Sequence, residues 1–142
     1  MGRRLRISIV VFIIAFVAIL AVAEADVGSR EAAAIAAAND WLVLVDAGQF
    51  GASWQRAASL FQKSVSAEQW TKSISTVRTP FGKFISRELL SASYMTSLPG
   101  APDGQYVVIQ YRCKFENKQA AVETVTPMFD DGDWKVSGYY VK

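Results

Sequence analysis

The sequence predicts an α+β domain, with helices packed on one face of a four-stranded antiparallel sheet, and two observations carry that reading. Apolar residues recur at helical spacing up to about Val77 and at every second position from Phe81 onward. The stretches between successive alternating segments are short and read as turns, which joins neighbouring strands as a meander. Helices in a run followed by strands in a run is the α+β order.

Ahead of the domain stands a different kind of segment. Arg3, Arg4 and Arg6 precede an apolar run from Ile7 to Val22 in which Ser8 is the only polar residue. Overlapping small-x-small triplets follow, Ala21-Val22-Ala23 and Ala23-Glu24-Ala25. This is the order of a secretory signal, and the preferred cleavage follows Ala25. The run is short against the ~20 residues of a spanning helix. If it is retained as an anchor, the positive-inside rule still places the rest of the chain across the membrane. Residues 1–25 are thus expected to be a signal, and 26–142 a single domain in the periplasm or secreted.

Three of the fifteen basic and one of the thirteen acidic residues lie in 1–25, so twelve of each remain and the domain is close to neutral. A neutral surface has no footprint for nucleic acid and no polybasic patch for lipid, which leaves the N-terminal segment as the expected membrane contact. The chain has no histidine, so triads that use histidine and the usual zinc sites are excluded. Cys113 is the single cysteine and falls on the apolar face of a strand pattern, as a small core residue.

The first helix is expected from Ser29 or Arg30 to Val45, with Ile35, Ala38, Leu42 and Val45 on one face and Gly48 as its stop. Phe50, Trp54, Ala57, Ala58 and Phe61 form the stripe of a second. Ser66 and Gln69 have the spacing of a capping box for a third, which buries Trp70, Ile74 and Val77 and ends at Pro80. Strands are expected at about Lys83–Met95, Tyr106–Glu116, Ala120–Phe129 and Trp134–Val141. The second of them sends Val107, Ile109, Tyr111, Cys113 and Phe115 to one face and Gln110, Arg112, Lys114 and Glu116 to the other.

Several segments together resemble a bacterial exported family catalogued as domain of unknown function 4019. They include Asn39-Asp-Trp-Leu-Val-Leu-Val-Asp-Ala-Gly48, Pro80-Phe-Gly82 with Ser86-Arg87, and Thr96-Ser-Leu-Pro-Gly-Ala-Pro-Asp-Gly104. Ala121-Val-Glu-Thr-Val-Thr-Pro-Met128 and Trp134-Lys-Val-Ser-Gly-Tyr-Tyr140 belong to the same likeness, which covers roughly Ala34 to Lys142. The family carries no activity over. Its element order looks like the cone-shaped fold of nuclear transport factor 2 and ketosteroid isomerase relatives, which implies a curved, cone-like sheet around a pocket. Fold alone does not assign function.

Candidate site residues are few. Arg87 and Glu123 are opposite charges in otherwise apolar or small strand surroundings, and both could face the concave side and pair. Tyr111 and Trp54 are the candidate aromatic lining of a pocket for a small apolar or lipid-like ligand. Asp40 and Asp46 lie six apart on one helix and cannot form an acid–base pair unaided. Asp130, Asp131 and Asp133 resemble the start of a calcium loop, but Trp134 begins a strand there, so no metal is expected, and no cofactor or catalytic set stands out. The leading expectation is a non-enzymatic exported module that binds a small ligand or an envelope protein. An isomerase- or hydrolase-like enzyme that works without histidine and a structural subunit that pairs its sheet face as a homodimer are the alternatives.

Overall fold

The computed structural model describes residues 27–142; the expected signal, its cleavage sites and any anchor lie outside the described residues. The chain divides into two units, Met1–Arg30 and Glu31–Lys142. Helix α1 covers 27–46, and Ala34, Ala38, Trp41, Leu42 and Val45 are its buried face. Ile35 is only partly buried. Gly48, at φ 74°, turns the chain so that its N–H reaches the Val45 carbonyl at 3.0 Å while Gln49 N–H reaches that of Leu44 at 2.8 Å. A residue with a side chain is disfavoured in that left-handed conformation.

The expected second helix is two. Helix α2 spans Phe50–Arg56 and α3 spans Ser59–Ser64, with Ala57 and Ala58 extended between them. The stripe from Phe50 to Phe61 is apolar throughout, so periodicity could not reveal the break. Its cause is tertiary: Ala58 donates its N–H to the Val136 carbonyl at 2.8 Å, which a helical Ala58 could not do. Asp130, at the end of a distant strand, then caps α3 by accepting from the Ser59 N–H and Oγ, both at 2.8 Å.

Helix α4, Ala67–Phe81, starts at the expected capping box: Ser66 Oγ accepts from Gln69 N–H and Gln69 Oε1 accepts from Ser66 N–H. It runs past Pro80 and ends at Gly82, φ 74°. A proline in the last turn removes one ladder hydrogen bond, and the chain continues for one residue before glycine turns it. The buried face is Trp70, Ile74 and Arg78, an i, i+4, i+8 line, while the expected Val77 is 38% exposed.

Strands β1 (Phe84–Met95), β2 (Tyr106–Phe115), β3 (Lys118–Asp130) and β4 (Asp133–Val141) lie in the order β1-β2-β3-β4, all neighbours antiparallel. Asp131 and Gly132 both have positive φ, 51° and 87°, as a two-residue hairpin turn requires. The alternation expected for β2 holds, with Val107, Ile109, Tyr111, Cys113 and Phe115 in the core. Tyr106 points to the other face and is nevertheless buried, because the 96–105 loop covers it: its hydroxyl donates to the Pro102 carbonyl at 2.6 Å. Trp41, Phe61, Trp70 and Tyr139 form an aromatic cluster between helices and sheet, with neighbouring ring centroids 5.0–6.5 Å apart. Among the described residues, no helix is long and apolar enough to cross a membrane.

The two hydrogen bonds from Ser59 hold the Asp130 carboxyl below the usual carboxylate range, the backbone bond acting most strongly. A lowered folded pKa contributes stability above the unfolded value and loses it as pH falls. Asp130→Ala is therefore expected to lower stability by about 1 kcal/mol at neutral pH, with the difference shrinking below about pH 4; denaturant unfolding of both proteins across that range measures it.

Candidate functional site

Four charged side chains from four elements meet between the helices and the sheet. Asp46 closes α1, Arg78 lies near the end of α4, Arg87 is on β1 and Glu123 on β3. Arg78 Nη2 donates to Asp46 Oδ1 at 2.9 Å. Arg87 reaches both Asp46 oxygens, through Nη1 at 2.9 Å and Nη2 at 3.1 Å. Its Nε donates to Glu123 Oε1 at 2.7 Å, and Nη2 lies 2.6 Å from the same oxygen. Arg78 Nη1 closes the ring at 3.8 Å from Glu123 Oε2. Two cations and two anions make it neutral.

Burial makes each of these bonds matter. Glu123 is wholly buried, while the side chains of Arg78, Arg87 and Asp46 are 7%, 12% and 15% exposed. Removing an ion from water costs several kcal/mol even after relaxation, so each charge here depends on its partners. Glu123 also accepts from Cys113 Sγ at 2.7 Å and from the Tyr139 hydroxyl in a short hydrogen bond. Aromatic faces complete the enclosure: the Arg87 guanidinium lies 4.3 Å from the Phe84 ring centroid and that of Arg78 4.6 Å from Phe115. Arg78 Nε is buried without a hydrogen-bond partner among the described residues.

The titration behaviour follows this packing. Burial alone would lower the Arg87 pKa, but hydrogen bonds and charge from Asp46 and Glu123 outweigh it and hold the cation. Burial pushes Tyr139 up, and the Glu123 carboxylate pushes it further. Burial and the bond to Glu123 raise the Cys113 thiol to about 12. Both hydroxyl and thiol are therefore donors, poorly suited to act as nucleophile or base near neutral pH.

Of the residues singled out from sequence, Arg87 and Glu123 do pair. Tyr111 is next to them: its ring centroid is 5.6 Å from the Arg87 guanidinium and its hydroxyl donates to Asn39 Oδ1 at 2.7 Å. Trp54 does not join them; its indole N–H donates to the Val65 carbonyl at 2.8 Å and ties α2 to the chain beyond α3. Asp46, Arg78 and Tyr139 were missed as site residues. Arg78 was open to detection, since it continues the Trp70–Ile74 line by one more turn, and so was Asp46, one turn beyond Leu42. Asp40 is exposed. Among the described residues, no group of three or more histidine, cysteine, aspartate or glutamate side chains could hold a metal ion.

Beyond the ring, two surface features stand out. A depression of about 350 Å³ opens over it, with Asp46, Arg78, Lys83 and Glu116 in its wall. A smaller apolar groove of about 160 Å³ lies between α4 and β4.

The chain that carries this fold and ring belongs to a protein family of unknown function. The chain is a member of the family described as protein of unknown function (DUF4019), which matches residues 37–139. That span includes all four ring residues and Tyr139. No curated protein matches the chain.

Breaking one side of a buried ion pair is expected to cost about 3–5 kcal/mol, because the charge left behind is uncompensated. Glu123→Leu and Arg87→Met should each fall in that range by denaturant unfolding. The double variant should lose markedly less than their sum; strict additivity would show that the pair does not couple. Raised thiol and phenol values give stability that is complete below the unfolded pKa and is lost as pH rises toward the folded one. Stability should therefore decline from the ordinary thiol value of 9.0 toward about 12, and Cys113→Ala should flatten part of that slope.

Proposed function

We propose that the chain is an exported, non-enzymatic module of the bacterial envelope that binds a protein partner at its surface. The observation that carries this reading is the closed ring of Asp46, Arg78, Arg87 and Glu123. In the cone-shaped fold that the order of elements suggests, a ligand would enter between helices and sheet, and here the ring and its aromatic walls occupy that space. A small or lipid-like ligand in the interior would have to displace paired charges.

The same geometry weighs against the enzymatic alternative. A general acid or base needs a proton site within reach of substrate. Glu123 has no exposed surface and takes hydrogen bonds from Arg87, Cys113 and Tyr139. Export is supported by the basic, apolar and small-x-small order of residues 1–25. A surface-binding role is supported by large apolar side chains that remain exposed on the sheet, among them Ile85, Leu89 and Tyr140.

Native mass spectrometry of the protein purified from the envelope fraction of a bacterial host tests both parts. The expected result is a chain shortened by residues 1–25 and accompanied by a second protein chain. A small molecule released only on denaturation would overturn the surface-binding reading, and an unprocessed chain in the cytosol would overturn export.

A further inference from the structure

Among the described residues, strand β4 is an outer edge of the sheet and no strand lies beside its final residues on one side. Lys142 and Val122 exchange both backbone hydrogen bonds, at 3.2 and 2.9 Å. Facing residues of an antiparallel pair alternate between bonded and non-bonded pairs. Val141 faces Glu123 and Tyr139 faces Val125, so the N–H and C=O groups of Val141 and Tyr139 point away from β3, to the open edge. Among the described residues, no hydrogen bond reaches them. The edge is closed further back, where Ala58 donates to the Val136 carbonyl at 2.8 Å.

The apolar groove runs beside these open groups. Trp70, Ile74 and Val77 of α4 wall it, Tyr139 and Val141 of β4 line its other side, and no lining residue is charged. The two features together select an occupant. Groups on one edge of a strand recur every second residue, about 6.8 Å apart, and only an extended backbone matches that spacing. A charge carried into the groove would lose its water without finding a partner, so charge complementarity requires an uncharged segment. The opposite edge is less suited. Strand β1 exposes Ile85, Leu89, Leu90 and Met95, but it is bulged between Phe84 and Ser86 and between Leu89 and Ser91, and Glu31 Oε1 covers the Tyr94 N–H at 3.2 Å. Bulges and a covering carboxylate are devices that blunt an edge.

We propose that β4 and the α4 groove accept an extended, uncharged peptide segment of a partner protein as a fifth strand. Its backbone pairs with Tyr139 and Val141, and its alternate apolar side chains seat against Trp70, Ile74 and Val77. Main-chain pairing supplies affinity in this mode and the side-chain groove supplies selectivity. The assignment rests on the surface-binding reading above and names its site.

The probe is a synthetic heptapeptide of alternating threonine and valine, acetylated and amidated at its ends, titrated into the full-length nitrogen-15-labelled chain. Saturable shifts on β4 and α4 are expected, with slowed amide exchange at Tyr139 and Val141. N-methylation of alternate peptide amides should weaken binding at least about tenfold. Val141→Pro should do the same, because it removes an edge N–H that the β3 ladder does not use, at a modest stability loss from its packing on the core that denaturant unfolding measures. Val77→Asp, at an exposed position, is the second variant and should also weaken it. Absence of saturable shifts at millimolar peptide, or equal binding by the methylated peptide, would overturn the proposal. So would protection of the Tyr139 and Val141 amides in the protein alone together with a dimer mass, which would give the edge to a second copy. A partner chain found by native mass spectrometry that still binds Val141→Pro and Val77→Asp would overturn this site and leave the surface-binding reading standing.

Discussion

Glu123 is wholly buried on a central strand, and the rest of the domain is arranged so that its charge can be there. A carboxylate withdrawn from water is untenable without strong donors. Cys113 comes from the neighbouring strand β2, Arg87 from edge strand β1 beyond it, and Tyr139 from β4 on the other side. Arg87 in turn needs a second anion, which Asp46 provides from the end of α1, and Asp46 also takes Arg78 from α4. Two helices are thereby referenced to the sheet through directional, charge-assisted bonds. Apolar contacts are tolerant of small rotations; a guanidinium bonded to both oxygens of a carboxylate is not.

Around this ring, the packing shows why the helices break where they do. The aromatic cluster of Trp41, Phe61, Trp70 and Tyr139 fills the space beside the charges. Ser53 supports it, since its carbonyl takes the Trp41 indole N–H at 2.8 Å and its hydroxyl takes that of Trp70 at 2.9 Å. To place Phe61 in that cluster, the chain leaves helix at Ala57 and Ala58 and uses β4 and Asp130 as external caps. The aspartates at the end of β3 and in the turn that follows thus act on the fold, Asp130 as a cap and Asp131 as a turn residue at positive φ.

Much of the fold was legible in the sequence because its causes are local. The capping box at Ser66 and Gln69, the glycine stop at Gly48, the strict alternation of β2 and the hairpin turn at Asp131-Gly132 each depend on residues a few positions apart. The site was half legible. Arg87 and Glu123 were conspicuous as charges in apolar strands, and Tyr111 lies beside them as its strand face implied. Val77 looked apolar and was assigned to the core, yet Arg78 is the buried residue, because the next turn of α4 faces a carboxylate and not more hydrocarbon.

By itself the sequence determined the class of the domain, the near-neutral balance of residues 26–142 and the strand and helix order, since periodicity and turn chemistry act over a few residues. The tertiary structure decided which charges find each other. Asp46 and Arg78 are 32 positions apart, Asp46 and Arg87 41, and Arg78 and Tyr139 61. No local pattern encodes such pairings; they arise when the helices dock on the sheet and exclude water. The break between α2 and α3 and the open edge of β4 have the same origin, because each depends on which backbone groups a distant element reaches and which it leaves exposed.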